Sequence, residues 1–170
     1  RAINILQTYR NLYLQLGTSY SKDKVNTVLL AHKPSTKALF RYFETKFSVD
    51  PQFGKQEYRI EVLLPRASHE FHDTLTQVQE VSDDTILRHL FNLVEATIRT
   101  NFYIPKHNRD TFISIKVESK KVKFMPAPTP YREIYVHDVG MEGTHLRFGP
   151  IARGGIRWSD RHDDFRKEVL

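Results

Sequence analysis

The sequence predicts an α+β fold, helices first and a small β-sheet after them, on three observations. Apolar residues recur at spacings of three and four through the first hundred positions, which is the period of a helix with one buried face. After Ile104-Pro105 the period changes to two, the signature of half-buried strands. Apolar residues make up 39% of the 170 positions and aromatics 12%, with 11 Phe and 8 Tyr. That is enough apolar surface to offset chain entropy and build a core. The change of period divides the chain into a helical region, residues 1–105, and a sheet region, residues 106–170.

The helical elements follow in order. Leu6, Tyr9, Tyr13 and Leu16 line one face of a helix over 2–16, and Gly17 supplies its stop. Val25, Val28 and Leu29 mark a second helix over 22–32, which must end before Pro34 because that ring restricts the residue preceding it. Ser35 caps a third helix running to Phe47, with Leu39, Tyr42, Phe43 and Phe47 as its buried stripe. Asp50-Pro51-Gln52-Phe53-Gly54 is turn chemistry. Tyr58 to Val62 alternates like a strand but sits among helices, so both readings stay open, and Pro65 could start a helix. Phe71, Leu75 and Val78 predict a helix over 67–81. Ser82-Asp83-Asp84 caps the next, with acidic residues on the positive end of the helix dipole. Ile86, Leu87, Leu90, Phe91, Val94 and Ile98 carry that helix to Asn101.

The sheet region begins with Phe112, Ile113, Ile115 and Val117. Met125-Pro126-Ala127-Pro128-Thr129-Pro130 is a stiff connector, since prolines deny a regular ladder its donors. Strands at Glu133–His137 and Thr144–Phe148 are joined by a turn containing Gly140 and Gly143. Residues 161–170 read as the start of a helix.

The formal net charge of +6 raises the question of an anionic partner. The cations are mixed with 20 Asp and Glu along the whole chain, and even Lys120-Lys121-Val122-Lys123 is interrupted by a valine, so these read as solvated faces. No RNP-like strand, zinc-ligand pattern or helix-turn-helix is visible. With no cysteine, disulfides and thiolate chemistry are excluded from these residues. The chain opens on Arg-Ala-Ile-Asn without a basic-then-apolar leader, and it has no apolar run of the roughly 18 residues a membrane helix needs. A cytoplasmic protein with trimmed ends, binding neither nucleic acid nor membrane, is the expectation.

Few constellations could carry chemistry. His69 and His72 could present two imidazoles on adjacent turns, but metal helices space them by four and add a third ligand. No Gly-x-Ser-x-Gly elbow, Gly-x-Gly-x-x-Gly loop or phosphate-binding Lys is present. The run from Met141 to Arg161 is richer. Gly154 and Gly155 allow a tight turn and close approach of a ligand, while Arg147, Arg153, Arg157 and Arg161 are planar cations that can fork onto carboxylates. This is either an anion-binding edge at a strand end or a glycine turn whose arginines pair internally with Asp160, Asp163, Asp164 and Glu168.

The run Gly149-Pro150-Ile151-Ala152-Arg153-Gly154-Gly155-Ile156-Arg157-Trp158-Ser159-Asp160-Arg161, continued by Asp163-Asp164-Phe165-Arg166-Lys167-Glu168-Val169-Leu170, resembles the large NAD-specific glutamate dehydrogenases. So do Ser82 to Arg88 and Ala96 to Tyr103; the likeness is specific after Val81 and patchy before it. The resemblance implies oxidative deamination of L-glutamate to 2-oxoglutarate and ammonium, with hydride passed to NAD. It implies that the sheet begins an α/β substrate-binding domain in a homo-oligomeric enzyme. Shorter glutamate dehydrogenases carry a Lys immediately before the paired glycines that holds the substrate's side-chain carboxylate, and by position Arg153 takes that role. Arg keeps the charge and alters reach and geometry. Gly154 and Gly155 would let the backbone close on substrate, with Arg157 and Asp160 as supporting residues. The family's later lysines, catalytic aspartate and dinucleotide-binding domain would follow Leu170.

The expectation is therefore a segment of an NAD-dependent glutamate dehydrogenase that contributes part of the substrate site, contains no catalytic residue or metal and is inactive alone. The alternative is an independent basic helical module binding an acidic protein or nucleic acid.

Overall fold

The computed structural model describes residues 1–105, 112–158 and 165–170. Helices come first: α1 (Ala2–Gln15), α2 (Lys22–Ala31), α3 (Lys33–Phe47), α4 (Gln56–Tyr58), α5 (Leu64–Leu75) and α6 (Val81–Ala96). The sheet follows with β1 (Thr97–Thr100), β2 (Ile113–Val117), β3 (Arg132–Asp138), β4 (Met141–Phe148) and β5 (Ile151–Arg157), before α7 (Phe165–Val169). Its order is β1-β2-β3-β4-β5, with every neighbouring pair antiparallel. The α+β class expected from the change of period is the one observed.

Local chemistry explains the boundaries. Ser21 caps α2 by accepting from the Lys24 amide at 3.1 Å. Ser35 does not cap α3: the helix already begins at Lys33, with Pro34 in its first turn, where a missing N–H costs nothing, and Ser35 is buried inside it. The ambiguous stretch Tyr58 to Val62 is helical, α4 passing through a π-helical turn (Arg59–Leu63) into α5. Helix α5 stops at Leu75, short of Val81, because the next amides fold back in tighter bonds such as Val78 N–H to Leu75 O at 3.0 Å. Helix α6 starts at Val81, so Asp83 and Asp84 occupy its first turn and face the positive end of its dipole.

The chain leaves α6 at Ala96, five residues before the expected Asn101, and Ile98 lies in β1 instead. Thr97 makes that break. Its hydroxyl donates to Leu93 O at 2.7 Å and accepts from Tyr9 Oη at 2.8 Å, while Lys46 Nζ donates to the terminal carbonyls of Val94 and Glu95 at 3.2 and 2.5 Å. With the helix end satisfied, Thr97, Ile98 and Thr100 suit the extended backbone of β1.

One core joins both parts. Tyr9, Leu12, Leu39, Phe43, Phe71, Leu87 and Leu90 from the helices pack in the same cluster as Ile113, Ile115, Val117 and Tyr135 from the sheet. Phe71 and Phe91 stack at 4.4 Å, and Phe43 meets Tyr9 and Phe102 edge-on at 6.0 and 5.3 Å. The other face of the sheet, carrying Ile134, Val136, Gly143, His145, Gly154 and Ile156, lines an open apolar groove.

Candidate functional site

The Arg-Gly-Gly motif lies in the middle of β5, and the paired glycines make no turn. The turn before them belongs to Gly149 at φ +87°, and the preceding one to Gly140 at φ +72°, so Gly143 too is a strand residue. On β4, Leu146 stands opposite Arg153, Thr144 opposite Gly155 and Glu142 opposite Arg157. Residues directly opposite share a face. Because Leu146, Thr144 and Glu142 are all buried, Arg153, Gly155 and Arg157 occupy the helix-facing side of β5. Gly154 points the other way, into the open groove.

Each motif residue has a distinct environment. Arg153 is exposed, and its Nη1 donates to the carbonyl of Leu170. A Cβ on Gly154 would stand 3.0 Å from Thr144 O and 3.1 Å from His145 Cδ2, so a side chain here would press on the neighbouring strand. A Cβ on Gly155 would meet Val169 Cγ2 at 3.5 Å, within ordinary contact of α7. Arg157 packs its guanidinium 4.9 Å over the Phe165 ring, donates to Glu142 Oε2 at 3.3 Å and approaches Glu168 at 4.0 Å. Arg147 lies on the opposite face and donates to Gly149 O at 3.3 Å. Among the described residues, Arg147 is thus separated by the sheet from Arg153 and Arg157. Asp160, Arg161, Asp163 and Asp164 fall outside the described residues.

Behind β5 stands a buried polar network absent from the sequence reading. Glu142, fully buried, accepts from Tyr135 Oη at 2.5 Å and from Gln15 Nε2 at 3.3 Å, besides Arg157. Gln15, the last residue of α1, also accepts at Oε1 from the Arg166 amide at 2.9 Å. Arg166 Nε reaches both oxygens of Glu133 at 3.1 Å, and Nη2 lies 3.4 Å from Met125 Sδ. Burial pushes the Glu133 carboxyl up against the pull of Arg166, and pushes the Tyr135 phenol well up, with the Glu142 carboxylate adding to the effect.

A signal for this network existed. In β3, Ile134 and Val136 are the apolar pair, yet Glu133 and Tyr135 are the buried ones. Hydropathy alone selects the opposite face, since a slip of one residue exchanges the two sides of a strand. Glu142 in β4 likewise occupies an inward position that pattern reading assigns to an apolar residue.

The two histidines weighed as metal ligands are occupied otherwise: His69 faces Asp73 at 3.3 Å and His72 Nδ1 lies 2.7 Å from Ser68 O. Among the described residues no group of three or more His, Asp or Glu is arranged to hold a metal, and no helix is long and apolar enough to cross a membrane.

Comparison with known proteins places the chain among glutamate dehydrogenases. The family model described as "Glutamate dehydrogenase, helical motif 3" matches residues 1–49, and "Bacterial NAD-glutamate dehydrogenase, catalytic domain" matches residues 70–170. The NAD-specific glutamate dehydrogenase of Pseudomonas aeruginosa is 35% identical over all of this chain, and that of Halomonas elongata 37%. The Mycobacterium tuberculosis enzyme is 36% identical over 98% of it. The chain belongs to the bacterial NAD-glutamate dehydrogenase family. It spans 10% of the length of each of these three relatives.

Proposed function

We propose that this chain is part of an NAD-dependent glutamate dehydrogenase, oxidising L-glutamate with NAD and water to 2-oxoglutarate, ammonium and NADH, and that alone it is inactive. The observation that carries this is Arg153-Gly154-Gly155 on a helix-backed strand within the segment matching the catalytic-domain model. Family membership favours this over an independent basic module.

In this reading Arg153, exposed on β5, forks onto a substrate carboxylate. Gly154 and Gly155 would serve the substrate site through the strand itself, Gly154 by letting β4 approach and Gly155 by letting α7 pack beside Arg153, and Arg157 braces the strand through Glu142. Asp160 is proposed as a further support. Residues 1–105, helical up to β1, would form one region and residues 106–170 the start of a substrate-binding domain. The described residues do not fit a dinucleotide: the sheet is an antiparallel meander without the parallel strand, glycine loop and helix that cradle a pyrophosphate. NAD would therefore be held elsewhere in the whole protein, which we propose is a cytoplasmic homo-oligomer.

The test is Arg153→Ala in the full-length enzyme. The apparent KM for glutamate should rise, with a transition-state loss on the order of 2–5 kcal/mol if bound substrate desolvates the pair it makes with Arg153. Unchanged kinetics would overturn the assignment.

A further inference from the structure

The buried carboxamide of Gln15 joins elements that the sequence holds far apart. It stands at the end of α1, within the segment that matches the helical-motif model, and it is 3% exposed. Its Nε2 donates to Glu142 on β4, and its Oε1 accepts from the backbone amide of Arg166 in α7. Both partners bear on β5. Glu142 holds the Arg157 guanidinium, and α7 lays Val169 and Phe165 against Gly155. An amide suits this place because it donates and accepts at once. A carboxylate would face Glu142 with like charge, and an apolar side chain would take one donor from Glu142 and leave the buried Arg166 N–H without its acceptor.

We propose that Gln15 is a positioning residue for the substrate strand. It sets where α7 and Arg157 lie, and through them where Arg153, on the same face of β5, presents its guanidinium. The helical region thereby tunes affinity for a dicarboxylate substrate without touching it. This rests on the reading of Arg153 as the carboxylate ligand.

The experiment uses the full-length enzyme and a double-mutant cycle between Gln15→Leu and Arg153→Ala, with KM and kcat for glutamate measured separately. Gln15→Leu should raise KM roughly tenfold, the equivalent of one lost hydrogen bond to a charged group, while kcat changes much less. It should add little once Arg153 is gone, since sites acting through one another are not additive. If the Leu variant does not fold, Gln15→Met, closer in length to Gln, takes its place in the cycle. If Arg153→Ala raises KM and the Gln15 change leaves KM alone, or its effect adds in full, the positioning role is overturned and the substrate reading stands. If Arg153→Ala leaves KM unchanged, the substrate reading fails and the positioning role with it.

Discussion

Arg166 and Glu133 form a charge pair sealed from water: the guanidinium Nε lies 3.1 Å from each carboxylate oxygen, and their side chains are 2% and 1% exposed. Such a pair recovers its desolvation cost only when both partners are present. Arg166→Ala should therefore destabilise the fold by about 3–5 kcal/mol, because it leaves the Glu133 carboxyl buried without its partner. Arg166→Met with Glu133→Leu should recover most of that loss. Urea unfolding of these two variants beside the parent chain checks both statements, and a double variant no better than the single one would refute the second.

The aromatic centre of the helical layer carries a second prediction. Phe71 is fully buried and stacks on Phe91 with an interplanar angle of 10°. Phe71→Ala should cost about 3–5 kcal/mol through lost burial and the cavity left behind. A midpoint shift in urea unfolding with unchanged slope would show that stability alone has moved.

The glycine pair should respond unequally. Gly154→Ala forces a methyl to 3.0 Å from Thr144 O, whereas Gly155→Ala meets α7 at 3.5 Å. We expect Gly154→Ala to lower the thermal midpoint and Gly155→Ala to leave it nearly unchanged. Equal effects would show that the strand spacing is not what requires Gly154.

Acid should weaken the α2–α6 contact. Lys24 Nζ and His32 Nε2 reach the carboxylate of Asp83 at 2.6 and 2.8 Å, and these hydrogen bonds hold its carboxyl below the ordinary 3.8. A depressed carboxyl contributes stability that is present above the unfolded value and lost as pH falls through the folded one. Asp83→Asn should flatten the acid limb of the stability profile below about pH 4.

Alkali acts in two opposed senses. Burial lowers the Lys46 ammonium to about 8 from its ordinary 10.5, so the folded chain sheds that proton first and stability rises with pH between those values. Burial raises Tyr42 and Tyr103 to about 12 from 10.0. Their contribution is whole below pH 10 and is lost from there up to about 12. The unfolding free energy should climb gently above pH 8, then fall beyond pH 10, and Lys46→Met should abolish the climb. A profile without the climb in the parent chain would refute the Lys46 assignment.

Much of the fold was legible because helices with one buried face announce themselves by spacing. Tyr9 and Tyr13, Leu39 and Phe43, and Leu87 and Leu90 are all in the core. Ile98 continues the helical stripe in sequence, and only the tertiary pairing of β1 with β2 draws it out. The Arg-Gly-Gly motif was legible as chemistry but not as geometry: neighbouring glycines suggest a turn, yet here they are strand residues required by close backbone approach. Glu133, Glu142 and Gln15 were not legible, since buried polar residues break the hydropathy rule and are explained only by partners distant in sequence.

That distance also orders assembly. Each strand of the meander pairs with its neighbour in sequence, so its hairpins close over short spans. Gln15 and Arg166 stand 151 positions apart. Closing so long a loop costs entropy before its contact repays it, and topologies of this kind form their distant contacts late. We therefore expect the seam between α1 and α7 to close after the hairpins, so that the strand carrying Arg153 gains its backing late.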